Sequence, residues 1–350
     1  MHPRMKVLHL VATLGSGGAE KQLYLLCRES CGVASHEVVA LSAGGRWAEP
    51  IRALGVPVRC LTTSLRSPLA IMRLRSAIRA ARPDIVHCWL PSMNILGALA
   101  AGRIPVVASV RNVDRWKPRA YQMLERVVAK LWNAVICNSH AGAEVTRDSG
   151  IDTARIFVVP NGIESNPEPA PRANTEITVA TACRIVPHKR LDRIVEIARR
   201  MPEVMFRIAG DGPERRHFAG LSPANVEWLG EIADPKPLFA ASDIFLLTSD
   251  REGMSNSLLE AMQAGCIPVV TPVGDNPRIV EHGVSGAVVQ PVHMPEAIRK
   301  VAGHLESYRQ AARCASERYT VTAMAENTLR IYRSLIHDVI AFEDPLPRLH

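Results

Sequence analysis

The sequence predicts two doubly wound α/β domains in tandem, each a parallel sheet covered by helices on both faces. Three observations predict it. Short apolar runs rich in β-branched residues alternate with longer helical patterns along nearly the whole chain, the pattern of parallel strands buried on both sides. The alternation breaks once, at Pro160-Asn161-Gly162 and then Asn166-Pro167-Glu168-Pro169-Ala170-Pro171, which continue neither a strand nor a helix. The 350 residues, 47% hydrophobic and 22% charged, are enough for two cores and exclude a disordered tail, a collagen-like fibre or a small stapled domain.

Taken in order, the strand-like runs of the first half are 6–11, 37–41, 56–60, 84–88, 105–109, 134–137 and 156–159, with helical patterns between them such as 19–29 and 120–131. The second half repeats the rhythm at 177–182, 205–209, 226–229, 244–247, 267–270 and 287–289. The break places one domain over 1–163 and a second over 164–322. A closing helical stretch within 323–350 is long enough to reach back to the first. Open parallel sheets bind ligands beyond the carboxyl ends of their strands, so two such sheets facing each other would put the site in the cleft between them.

The eight cysteines form no C-x-x-C pair and sit mostly in apolar runs, as in Val135-Ile136-Cys137. They read as buried free thiols of a reducing compartment. The first apolar run, 5–14, is a strand's length followed by glycines and lacks a cleavage site, so no export signal is expected. The longest apolar stretch, 85–101, carries His87, Pro91 and Asn94 and would cross a bilayer badly. A cytoplasmic location follows, with any membrane met from its inner face.

Charge is unevenly shared. Lys and Arg outnumber Asp and Glu by 11 over residues 1–163, whereas acids exceed bases by three in the remainder. Two basic amphipathic stretches account for much of this. One, 66–82, holds Arg73, Arg75, Arg79 and Arg82; the other, 111–130, interleaves Arg115, Lys117, Arg119, Arg126 and Lys130 with Trp116 and Tyr121. Such helices suit an anionic membrane surface or a phosphate-bearing partner; an ordinary solvated helix face accounts for either alone equally well. No zinc spacing, RNA-binding aromatic signature or basic arm points to nucleic acid. No D-x-D and no His/Cys/Asp cluster at ligand spacing occurs, so neither a metal nor a cofactor is expected.

Chemistry-bearing residues gather at predicted strand ends. Thr13-Leu14-Gly15-Ser16-Gly17-Gly18-Ala19-Glu20 follows the first strand and opens a helix; glycines there let backbone approach a ligand, though a plain tight turn explains them as well. Arg184 and Lys189 follow strand 177–182, where two cations would straddle a diphosphate or simply decorate a solvated loop. The most informative segment runs from Thr248 to Met262 after strand 244–247. Ser255 or Asn256 would cap a helix over 257–264, leaving first-turn amides for an anion. Glu252 precedes that helix and Glu260 lies within it, a spacing that suits two ends of one extended ligand better than the two carboxylates of a glycosidase. Ser249-x-x-Glu252 also fits a capping box. His87, Arg111 and Asn112 stand at strand ends of the first sheet, where an acceptor would lie; a lone histidine there is more often structural.

These residues resemble the GT-B retaining glycosyltransferases of family 4, which use nucleotide sugars. The resemblance runs nearly end to end, through Gly17-Gly18-Ala19-Glu20, Arg82-Pro83-Asp84-Ile85-Val86-His87, Val159-Pro160-Asn161-Gly162-Ile163, Arg184 with Lys189, Ala209-Gly210-Asp211-Gly212-Pro213, Glu252-x7-Glu260 and Ala264-Gly265-Cys266-Ile267-Pro268. It implies that Arg184 and Lys189 hold the donor diphosphate, and that Glu252 meets the transferred sugar beside Gly253, Met254, Ser255, Asn256 and Ser257. It further implies that Glu260 takes the ribose, that Gly230 and Ile232 flank the base, and that Gly15 and Gly17 close on the donor from the first domain. Attack on the face of the leaving group, with a donor phosphate oxygen taking the proton, is the implied course. Many relatives carry His where Arg111-Asn112 stand, so a histidine contact with the acceptor does not transfer; Arg-Asn points to the bacterial polysaccharide-type subset.

The expected function is therefore a retaining, metal-independent transfer of sugar from a UDP- or GDP-sugar to a lipid-linked or envelope glycan. The alternatives are a nucleotide-sugar epimerase of the same architecture and a non-catalytic, glycosyltransferase-like binding subunit.

Overall fold

The protein is described from a computed structural model, over residues 4–65, 67–113, 118–165 and 176–336. Arg66, Arg115, Trp116 and Lys117 of the two basic stretches, the proline-rich 166–171 and the last residues of the closing helical stretch lie outside the described residues. The chain divides into two compact units, Met1–Gly162 with Val321–His350, and Ile163–Thr320.

In the first unit the strands are β1 (Lys6–Val11), β2 (Ser35–Ala40), β3 (Val58–Cys60), β4 (Ile85–Trp89), β5 (Val106–Val110), β6 (Ala134–Cys137) and β7 (Ile156–Val158). Between them run α1 (Gly18–Ser30), α2 (Ala48–Ala53), α3 (Leu69–Ala81), α4 (Pro91–Ala101), α5 (Arg119–Val128) and α6 (His140–Asp148). The second unit holds β8 (Thr178–Ala182), β9 (Met205–Ala209), β10 (Val226–Gly230), β11 (Ile244–Leu247), β12 (Ile267–Val270) and β13 (Ala287–Val288). Its helices are α7 (Leu191–Arg199), α8 (Arg215–Leu221), α9 (Lys236–Ala240), α10 (Asn256–Gln263), α11 (Asn276–Ile279), α12 (Met294–Ala302) and α13 (Leu305–Ser316), and α14 (Val321–Ile336) returns to the first unit.

Every named strand pairs in parallel, in the orders β3-β2-β1-β4-β5-β6-β7 and β10-β9-β8-β11-β12-β13. Each order reverses once, between β1 and β4 and between β8 and β11. At such a reversal the connecting loops diverge and leave a crevice beyond the carboxyl ends, so these two places are where each sheet is built to bind.

Strand residues alternate between two cores. In the first unit Val7, Val11, Ile85 and Trp89 join residues of α1, α2 and α14, while Leu8, Leu10, Val86 and Cys88 join α3 and α4. In the second, Ala180, Phe245 and Leu247 join α9, α10 and α13, and Val179, Ile244 and Leu246 join α7 and α12. Of the eight free cysteines, Cys27, Cys88, Cys137 and Cys266 are buried and Cys60 and Cys183 half-buried, but Cys31, just past the end of α1, and Cys314 in α13 are exposed. Among the described residues no helix is long and apolar enough to cross a membrane.

The helices α3 and α5 both pack on α4. Their outer surfaces carry apolar side chains as well as arginines. Met72 is 68% exposed, Met123 69% and Val127 64%, beside the exposed Arg73, Arg75, Arg119, Arg126 and Lys130.

Candidate active site

At the reversal of the second sheet the loops after β8 and β11 are laced together. Lys189 Nζ donates to Glu252 Oε1 at 2.6 Å, and Ser249 Oγ donates to the same oxygen at 2.6 Å. Thr248 Oγ1 reaches the carbonyls of Lys189 and Arg190 at 3.1 and 3.0 Å, and the Asp250 amide donates to the His188 carbonyl at 2.9 Å. Burial works against the Lys189 ammonium, but the Glu252 carboxylate outweighs it and holds the lysine pKa above its usual range. Lys189 is therefore a cation at neutral pH.

Glycines make this lacing possible. A Cβ on Gly210 would lie 1.8 Å from the Cys183 carbonyl oxygen, and one on Gly274 would lie 2.3 Å from the Glu252 carbonyl oxygen. Both also sit at positive φ, +130° and +57°, where a side chain would be strained. The Gly210-Asp211-Gly212 run thus supports the loop that carries Arg184: the Ile185 amide donates to the Asp211 carbonyl at 2.9 Å.

The remaining residues singled out in this unit fall as follows. Arg184 is exposed and, among the described residues, has no ion-pair partner. The helix α10 starts at Asn256 with Ser255 as its cap, whose Oγ accepts from the Leu258 amide at 3.3 Å. Ser249 and Glu252 therefore form no capping box, since their bond precedes the helix. Gly253, Met254 and Ser255 are buried, Asn256 and Ser257 half-buried, and Glu260 is buried in α10. Gly230 ends β10, with its carbonyl accepting from the Gly210 amide at 2.6 Å, and Ile232 follows half-buried. Lys189 and Glu252 are brought into contact; Gly230 and Ile232 stand two strands away from β8 in the sheet order.

In the first unit, Gly15 and Gly17 lie in the loop between β1 and α1, with Gly17 as the exposed N-cap of α1. Asn112 is exposed. His87 is not. It has no exposed surface, its Nε2 meets Ser109 Oγ at 2.6 Å and its Nδ1 meets Tyr332 Oη at 2.5 Å. Burial, then the charge of Arg111, hold its pKa well below the ordinary histidine value. Both ring nitrogens of His87 are thus engaged inside the unit, where the residue ties β4 to β5 and α14. Arg111 is buried as well. Its guanidinium lies 4.5 Å from the Trp89 ring centroid, and Nη1 donates to Asn161 Oδ1 at 2.9 Å. Desolvation draws its pKa down to about 10, which leaves it charged at neutral pH.

Sequence reasoning missed several partners. Gln22 of α1 bonds both ways to Gly162, at 2.9 and 3.0 Å, and so pins the turn that closes the first unit. Tyr332 comes from a helix 245 residues beyond His87. His9, Cys27 and His36 are the one grouping among the described residues dense enough for a metal. Yet Trp89 Nε1 donates to His9 Nδ1 at 3.2 Å, His9 Nε2 meets His36 Nδ1 at 3.0 Å and His36 Nε2 meets Ser30 Oγ at 2.8 Å. All four ring nitrogens are thus engaged without an ion.

Comparison with known proteins agrees with this architecture. The profile of Glycosyltransferase Family 4 matches residues 16–166, and that of Glycosyl transferases group 1 matches residues 176–306. The chain is 30% identical over 181 residues to a phosphatidylinositol N-acetylglucosaminyltransferase chain of Arabidopsis thaliana, a match taking in 47% of this chain and 40% of that protein, so it spans well under two thirds of that relative. It is 25% identical over 278 residues to the UDP-Gal:alpha-D-GlcNAc-diphosphoundecaprenol alpha-1,3-galactosyltransferase of Escherichia coli, covering 69% of this chain and 72% of that one. The crystal structure of Anabaena HepE in complex with UDP-glucose superposes with a TM-score of 0.81 at 21% identity, over 95% of this chain and 100% of the other. The chain belongs to the glycosyltransferases of family 4 and group 1, with the two parallel-sheet α/β units of the GT-B fold.

Proposed function

We propose that this protein transfers a sugar, with retention and without a metal, from a nucleoside diphosphate sugar to a glycan or lipid-linked acceptor of polysaccharide assembly. The observation that carries the reading is the Lys189–Glu252–Ser249 cluster at the reversal of the second sheet. A nucleoside diphosphate leaves readily only if its growing negative charge meets fixed positive charge in a preorganised site. Lys189 is fixed by Glu252, Arg184 stands uncommitted on the same loop, and the amino end of α10 adds its dipole. Two cations and a helix end do here the neutralising work that other enzymes give to a metal. The diphosphate–C1 bond breaks and the acceptor oxygen bonds to C1 from the same face. The acceptor's proton passes to the departing phosphate oxygen, so no protein base is required.

The UDP-Gal donor in one relative's name and the UDP-glucose in one structural neighbour support a nucleotide-sugar donor. The names of relatives that act on diphosphoundecaprenol or phosphatidylinositol carriers support an acceptor at a membrane. The exposed apolar and basic faces of α3 and α5 fit the anionic inner face of the cytoplasmic membrane by charge and by apolar area.

The test is release of nucleoside diphosphate and formation of glycosylated acceptor from a panel of UDP- and GDP-sugars. Glu252→Ala and Lys189→Ala are expected to lower turnover at least about 100-fold, the cost of losing one preorganised charge contact, with unfolding still cooperative. Full activity in both variants refutes the assigned roles, and an epimerised sugar formed from donor alone replaces the reading.

A further inference from the structure

The loops after β8 and β11 are joined a second time, by charged side chains that the donor chemistry leaves unused. Arg190 follows Lys189 directly, and Asp250 precedes Glu252 by two residues. Arg190 Nη1 donates to Asp250 Oδ2 at 3.1 Å, and Arg193 Nη2 stands 2.6 Å from Oδ1 of the same carboxylate. The other end of the Arg193 fork, Nη1, donates to the Thr248 carbonyl at 2.7 Å. Arg190 also grips Asp192 in the first turn of α7, with Nε to Oδ1 at 2.9 Å and Nη2 to Oδ2 at 2.7 Å. One guanidinium thus spans from α7 to the loop that carries Glu252.

The backbone at Arg190 singles this residue out. Its φ of 56° and ψ of 53° lie in the left-handed region, which favours glycine and which other residues seldom enter. A glycine would sit there freely. As the N-cap of α7 the Arg190 side chain makes no capping bond, so neither the turn nor the helix accounts for an arginine. Isolated exposed ion pairs contribute little, but a planar fork held bidentately within a network, here Arg190, Asp192, Arg193 and Asp250, can keep a fixed geometry. Two side-chain bridges therefore link the same two loops, Lys189–Glu252 within the site and Arg190–Asp250 beside it.

We propose that Arg190, Arg193 and Asp250 are positioning residues, a clasp that fixes the loop after β8 to the loop after β11 and so sets Lys189 against Glu252. With the clasp closed, the Lys189 ammonium is held in advance where charge grows on the departing diphosphate. With it open, the bonds through Thr248 and the His188 carbonyl still join the loops, but the register of their side chains loosens. A misplacement of about 1 Å can cost as much as about 100-fold in rate. The assignment rests on the transferase reading and adds to it the part that aims its cation.

The experiment measures kcat, donor Kd and thermal unfolding for the wild type, Arg190→Gly and Asp250→Asn, together with the rate at which acetic anhydride modifies the Lys189 amine, read by peptide mass spectrometry. Arg190→Gly is the sharper variant. Glycine relieves the left-handed turn while removing the fork, so its Tm is expected within about 3 °C of wild type. Both variants are expected to lower kcat at least about tenfold. Donor Kd should stay within about threefold, because Arg184 and the amino end of α10 are untouched. Lys189 should react at least about threefold faster, as its amine loses the carboxylate that holds its proton. A role confined to the shape of the turn leaves kcat unchanged in Arg190→Gly, and that result overturns the assignment, as does a fall in only one of the two variants. A wild type that transfers nothing overturns the transferase reading itself; the reactivity of Lys189 then still reads the clasp, and equal rates in wild type and both variants overturn it.

Discussion

Acidifying the protein from pH 7.5 to 5.5 is expected to remove about 4 kcal/mol of unfolding free energy. The cause lies in the first unit, where His9, His36 and His87 are buried in hydrogen bonds that need them neutral. Desolvation lowers all three below the ordinary 6.5, His36 to about 4. Above pH 6.5 neither the folded nor the unfolded chain protonates them, and their contribution is complete. Below it the unfolded chain takes up protons that the fold refuses, so stability falls until the folded pKa is reached. One unit below 6.5, each histidine costs about 1.4 kcal/mol, and three together about 4, a large share of a total of roughly 5–15. Glu20, with its raised pKa, acts in the opposite sense and gains stability as pH falls through its folded value, offsetting part of the loss at the acid end. Urea unfolding followed by circular dichroism at pH 7.5, 6.5 and 5.5 measures the effect. An unfolding free energy that changes by less than about 1 kcal/mol over this range would refute the account of the three histidines as neutral, sealed hydrogen-bonding groups.

Two further outcomes follow from particular contacts. Gly210→Ala would drive a Cβ to 1.8 Å from the Cys183 carbonyl at positive φ and is expected to cost about 3 kcal/mol, lowering Tm by about 6–12 °C, whereas Gly220→Ala, with nothing within 4 Å, should leave Tm within about 2 °C; equal Tm values for the two would contradict the packing described. Replacing Met123 and Val127 by Asp on the open face of α5 should reduce cosedimentation with anionic liposomes at least about tenfold, and wild-type binding that is indifferent to salt would count against an electrostatic membrane contact.

Most of the fold was legible because parallel strands buried on both sides leave unbroken apolar runs, and β11 and β12 fall where 244–247 and 267–270 are expected. The edge was harder. The run 56–60 becomes a strand only over Val58–Cys60, since β3 pairs with β2 alone and nothing on its other side extends the ladder. In the site, Lys189 and Glu252 could be singled out because each lies in the loop that follows a strand. Their contact could not, because it depends on how loops about 60 residues apart are laced by Thr248 and by the carbonyl of His188. The surroundings of His87 were hidden for a related reason: its position at a strand end is visible locally, but the hydroxyl that seals it arrives from α14. Glu20 stood inside a recognised glycine motif, yet its burial beside the Thr13 hydroxyl could not be read from that motif. Long-range side-chain partners have no periodicity, so no local pattern announces them.

The central claim is that the cations after β8 hold a nucleoside diphosphate sugar. Isothermal titration of UDP-glucose, UDP-galactose and GDP-mannose into wild type, Lys189→Ala and Arg184→Ala tests it most directly. One of these donors should bind the wild type, and each variant should weaken it at least about tenfold, in line with the loss of a charged hydrogen bond to phosphate. Unchanged donor affinity in both variants would contradict the account.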